Sequence, residues 1–189
     1  MTSNLTVTKA KLKHPPLDIH LLGDRVLRQP AKRVAQVNDE IRQLIRDMLG
    51  TMYSADGIGL AAPQVAVHKQ VLVVDIEPEE AANRPLVLIN PKIRQVGKDI
   101  TIGQEGCLSI PNIFLDVKRP DLVEVAYKDE QGRPQTLKAS GMLSRVIQHE
   151  IDHLSGVLFV DRVENAFLLN RELAKHGFSR QAVKAMSAV

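Results

Sequence analysis

The chain has 189 residues, enough to bury one sizeable apolar core and too few for two comfortable ones, so a single domain is the default. Its 44% apolar and 25% charged residues exclude disorder over most of its length. The balance of 25 Lys and Arg against 22 Asp and Glu leaves only +3, too mild for the footprint of a nucleic-acid binder, so no DNA partner is expected, and no apolar run approaches the length a membrane helix needs.

Residues 1 to 16 read as a flexible, solvated N-terminal tail. Ser3, several threonines and Lys9, Lys11 and Lys13 without any acid give it a faint likeness to an organellar transit segment, which the lack of arginine weakens. Gly23-Asp24 opens a short turn or helical piece that Pro30 interrupts. Asn38-Asp39 then caps an amphipathic helix running to about residue 55, with Ile41, Leu44, Ile45, Met48, Leu49 and Met52 on its core side. Asp56-Gly57-Ile58-Gly59 breaks that helix. Strands are expected at 70 to 76, 86 to 90 and 93 to 96, with a loop from 77 to 85. Residues 122 to 127 and 135 to 139 alternate around Asp129-Glu130-Gln131-Gly132 and read as a β-hairpin. A helix from 142 to 155 ends at Gly156, and another from 162 to 176 ends at Gly177. The pattern predicts an α+β domain over 17 to 177, with small mixed or antiparallel sheets around a central helix, and a tail from 178 to 189.

The central helix carries Gln148-His149-Glu150-Ile151-Asp152-His153. Histidines four apart lie on one helix face, where both can reach a single metal ion while Glu150 leans over its open side. The lone cysteine, Cys107, sits in Glu105-Gly106-Cys107-Leu108-Ser109, a poor composition for plain core, and Gly106 lets the backbone bend to aim the sulfur. Three protein ligands with one open position describe a catalytic metal, and the imidazoles then need outer partners for their second nitrogens. Asp152 and Glu105 leave open an oxygen-rich ligand set; Asp152 should point away from the imidazole face, toward a cation such as Arg119. Three readings stand at this point: a hydrolase with a thiolate ligand, a zinc peptidase cutting internal bonds with a third oxygen or nitrogen ligand, and a metal-stabilised binding module. One cysteine makes no internal disulfide, which favours a reducing compartment such as the cytoplasm.

Three segments in order resemble the peptide deformylase family: Gly57-Ile58-Gly59-Leu60-Ala61-Ala62-Pro63-Gln64, Glu105-Gly106-Cys107-Leu108-Ser109, and Gln148-His149-Glu150-Ile151-Asp152-His153-Leu154-Ser155-Gly156. The resemblance implies removal of the N-formyl group from the initiator methionine of nascent bacterial or organellar polypeptides, with release of formate. It implies Cys107, His149 and His153 as ligands to ferrous iron, which zinc, nickel or cobalt can replace. Glu150 would be the general acid/base on a metal-activated water, and Gln64 with the backbone N–H of Leu108 the oxyanion hole. Substrate would pair its main chain along Ile58, Gly59 and Leu60, close to Gly106, and place its methionine against Met142, Arg145 and Val146, with the Arg145 guanidinium sent out to water. Arg171, Lys175, Arg180 and Lys184 make the C-terminal region a candidate ribosome contact, and no membrane partner is expected.

Overall fold

The computed structural model describes residues 8–80 and 82–184. Its first helix, α1 (Asp39–Ser54), starts where Asn38 Oδ1 accepts the Ile41 N–H at 3.1 Å, a side-chain cap for a donor the helix itself cannot satisfy. The strands β1 (Gly59–Ala61), β2 (Val71–Val74), β3 (Leu86–Val96), β6 (Leu122–Lys128) and β7 (Pro134–Ser140) form one antiparallel sheet in the order β1-β2-β3-β6-β7. A separate ribbon pairs β4 (Ile100–Cys107) with β5 (Ile110–Pro120). The helices α2 (Gly141–Leu154) and α3 (Ala166–Lys175) follow.

The run of β-branched and aliphatic residues in β2 is explained by burial on both faces. Val71 and Val73 pack with Ile45, Met48 and Met52 of α1, whereas Leu72 and Val74 pack with Val146, Ile147 and Leu154 of α2. Leu60 and Ala61 of β1 split the same way, as do Ile89 and Leu88 of β3. The sheet is therefore sandwiched between two helices at its β1 end. The ribbon has a core of its own, with Ile113, Leu115 and Val117 of β5 against Phe159 and against Leu169 and Leu173 of α3.

The helices and the β6–β7 hairpin match the sequence expectations within a few residues, except that α3 starts at Ala166, where Asn165 Oδ1 accepts the Leu168 N–H at 3.0 Å. The two strands expected around Pro91 are one strand, β3, with register breaks between Ile89 and Lys92 and between Ile93 and Gln95, and with Asn90 at φ 53°. The ribbon was not anticipated: β4 is exposed at Ile100, Thr101 and Ile102 and carries two glycines, so it has no apolar alternation to read. The described part of the expected N-terminal tail also departs from a solvated coil. Lys9 Nζ lies 2.7 Å from Asp75, the Leu12 N–H donates to Ser54 Oγ at 3.0 Å, and the Leu12 side chain rests on Gly50 of α1.

Candidate active site

The turn that closes the ribbon sets the site. Cys107 pairs with Ile110, so Leu108 and Ser109 form a two-residue turn that projects the cysteine from the end of β4 toward α2. On α2, His149 and His153 stand one turn apart, with ring centroids 5.1 Å apart. Cys107 Sγ and one nitrogen from each ring lie within 4.8 Å of one another, and Sγ is 3.3 Å from His153 Nε2. A thiolate with two imidazoles is a donor set that suits iron, zinc, nickel or cobalt, so these residues fit a divalent transition metal.

A buried charge relay holds this corner. His149 Nδ1 lies 2.9 Å from Glu105 Oε2, and Glu105 is gripped by Arg119 through bonds of 2.6 and 2.8 Å and by Arg145 at 2.9 Å. Arg119 also reaches Asp152 at 2.8 Å, and Asp152 takes two bonds of 2.6 Å from Arg162. Burial alone would raise the Glu105 carboxyl, but the bonds from Arg119 and His149 outweigh it and hold that group well below the usual carboxylate range. Glu105 is thus a permanent anion that orients the His149 ring by its second nitrogen.

Glu150 is the opposite kind of carboxylate. It is buried without a guanidinium of its own, Oε2 has no hydrogen-bond partner among the described residues, and burial pushes its pKa up to about 7. Gly59 of β1 makes its position possible, because a Cβ there would collide with Glu150 Oε1 and with Val146. Gln64, in the short 3-10 turn Ala62–Val65, is locked at both ends of its amide: Oε1 accepts the Ala61 N–H at 2.8 Å, and Nε2 lies 3.1 Å from Ser109 Oγ and 3.5 Å from Cys107 Sγ. The buried donor therefore faces the sulfur. These groups open on a cavity of about 620 Å³ whose walls include Gly59, Gln64, Leu108, Val146 and Glu150.

The sequence profile described as polypeptide deformylase matches residues 16–167 of the chain. The chain belongs to that family. Peptide deformylases of Microchaete diplosiphon and of a Nostoc species are 67% and 66% identical to it over 187 residues, 99% of this chain and 100% of each relative. The crystal structure of a peptide deformylase from Synechococcus elongatus in complex with actinonin superposes with a TM-score of 0.94 at 64% identity, covering 95% of this chain and 98% of that one. A Thermotoga maritima peptide deformylase gives a TM-score of 0.74 at 38% identity, covering 78% of this chain and 97% of that one.

Most of the residues singled out from the deformylase motifs line this one cavity: Ile58, Gly59, Gln64, Gly106, Cys107, Leu108, Met142, Arg145, Val146, His149 and Glu150. His153 stands behind them, 1% exposed. The Leu60 side chain is fully buried against α1, which leaves its main chain on β1 for a substrate. Because β1 pairs with β2 alone among the described residues, its other edge is open there to an added strand. Arg145 corrects the sequence reading. Its guanidinium does not reach water but turns inward to Glu105, the Val117 carbonyl and the Thr101 carbonyl at 2.9, 2.8 and 3.0 Å, because the ribbon brings a buried anion and free carbonyls within its reach.

Glu105, weighed as a ligand from sequence, is the acceptor behind His149, and Asp152 does pair with Arg119. Phe114 went unnoticed. It lines the cavity, is 60% exposed, and packs so closely on Gly106 that a Cβ there would overlap its ring. The alternation of residues 113 to 117 was the signal that could have exposed it, since inward Ile113, Leu115 and Val117 force Phe114 outward.

Proposed function

We propose that the chain is the hydrolase that removes the N-formyl group from the initiator methionine of nascent polypeptides, releasing formate, and that Cys107, His149 and His153 hold its ferrous iron, with zinc, nickel or cobalt as possible substitutes. The observation that carries this reading is the convergence of one sulfur and two imidazoles beside a buried carboxylate with a free oxygen. Bound there, the cation supplies Lewis-acid chemistry: it polarises a carbonyl and makes a water acidic enough to lose its proton near neutrality.

The chain's own residues do the rest. Glu150, with its pKa near 7, is poised both to accept the proton of the attacking water and to return it to the departing amide nitrogen. Water adds to the formyl carbon, the C–N bond breaks, and the proton from Glu150 converts the leaving nitrogen to the free amine. Gln64 Nε2 and the Leu108 N–H are the donors for the negative charge that builds on the formyl oxygen; because Oε1 of Gln64 is fixed on Ala61, that amide meets the charge without reorganising. The incoming chain adds a strand along the open edge of β1, with methionine against Val146, Met142 and the alkyl stem of Arg145.

The reading of an internal-bond peptidase needs a ligand other than the thiolate. Protein purified without oxygen should carry one transition metal per chain, release formate from a formyl-Met peptide and bind actinonin. Cys107→Ser should lose both metal and formate release; retention of both by that variant would defeat the assignment. The bacterial cytoplasm, where formylated chains are made, is the proposed location. Ribosome contact through Arg171, Lys175, Arg180 and Lys184 is proposed more narrowly than the sequence suggested, because Glu172 lies 3.1 Å from Arg171 and 3.8 Å from Lys175. Because Phe178, Ala182 and Val183 pack in the ribbon's core, the test replaces side chains and keeps the segment: co-sedimentation with ribosomes should weaken in an Arg180→Gln, Lys184→Gln variant.

A further inference from the structure

α1 covers the sheet over β1, β2 and the first half of β3, and leaves the same face open over the end of β3, β6 and β7. A second hollow of about 370 Å³ lies there, lined by Arg33, Lys92, Arg94 and Lys128 with no carboxylate among its walls. It is built by the fold. Asn90, at the β3 bulge, accepts the Val34 N–H and donates to the Val34 carbonyl, both at 2.8 Å, which pins the neighbouring Arg33 beside β3. Across the sheet Lys92 pairs with Ala126 and Ala126 with Thr136, so small side chains floor the space between the cations.

Among the described residues, none of these four cations forms an ion pair; three acids on adjoining elements are engaged elsewhere, Asp129 by Arg133, Glu124 by Lys138 and Asp39 by Arg42, and Glu130, in the β6–β7 turn, accepts from the Gln131 amide at 2.7 Å. Four like charges around one concavity repel each other and are relieved by a polyanion. We infer that this hollow binds the phosphodiester backbone of RNA. Recognition is of phosphates rather than bases, because Tyr127, the one aromatic residue in the lining, packs its ring against the core on the sheet's other face and offers nothing for stacking. A lipid surface is a poorer match, since none of the large exposed apolar side chains lines the hollow to insert between acyl chains. The site is separate from the catalytic cavity, so RNA binding and formate release should be independent.

The test is fluorescence anisotropy of a labelled mixed-sequence single-stranded RNA with the metal-loaded protein. With four phosphate contacts, affinity should fall about 50-fold between about 50 and about 200 mM salt, a log–log slope of about −3. The variant Lys92→Gln, Arg94→Gln, Lys128→Gln should flatten that slope by about 2 and weaken low-salt binding by about tenfold or more, with formate release from a formyl-Met peptide unchanged. A control with the same charge loss at exposed Lys11, Lys13 and Lys98 should bind RNA like the parent. The inference is overturned if the parent binds no RNA at low salt, or if both variants weaken equally. It is also overturned if the pocket variant loses only its retention on phosphatidylserine vesicles.

Discussion

The helix that presents the histidines and the ribbon that presents the cysteine meet at one point but are held there by opposite means. α2 is seated by Val146, Ile147 and Leu154 against the sheet, an apolar contact spread over many atoms. The end of the ribbon nearest α2 is seated by a few charges, Glu105 between Arg119 and Arg145, with Asp152 and Arg162 behind. Apolar packing degrades by increments as methylenes are removed, whereas a buried ion network fails when one member goes, because its partner is left charged and out of water. The position of the sulfur and of the His149 ring should therefore be the fragile half of the site.

The largest effect should come from Arg119→Met. Glu105 would lose its main counter-ion, at a cost of about 3–5 kcal/mol in urea unfolding, and the folded protein should hold less metal because His149 is no longer oriented. Ile147→Ala should cost a similar or slightly smaller amount, about 3 kcal/mol, yet leave metal content per folded molecule intact. If both variants lost metal alike, the proposed division of labour would be wrong.

Glu150→Gln should act in the other direction. The folded pKa of Glu150, near 7, lies above its unfolded value of about 4.5, so its contribution to stability is fully present below pH 4.5 and is lost as pH rises through 7. In metal-free protein the glutamine variant should gain up to about 3 kcal/mol over the parent at pH 8, the gain shrinking to nothing near pH 4.5, while formate release by the metal-loaded form collapses. Parallel melting curves at the two pH values check the sign, and an equal gain at both would show that Glu150 is not held in its acid form by burial.

The same contrast separates what could be read in advance from what could not. α1 and α2 announce themselves by apolar spacing and by a local cap or terminating glycine, and the β6–β7 hairpin by alternation around a turn. β4 had no such signal, since its pairing with β5 is made by backbone bonds that any side chains permit. Arg145 was misread for a related reason. Its neighbours on α2 suggested an apolar wall, and the carboxylate that turns it inward lies 40 residues away in the chain.

The candidate ligands belong to the sequence: histidines at helical spacing are a local pattern that survives without a fold, and the resemblance to the deformylase motifs joined Cys107 to them. The Glu105 carboxylate behind the second nitrogen of His149, the room that Gly59 clears for Glu150, and the open edge of β1 belong to the tertiary structure alone. They depend on which distant backbones are brought within a few ångströms, and hydrophobic spacing along a chain carries no record of that distance.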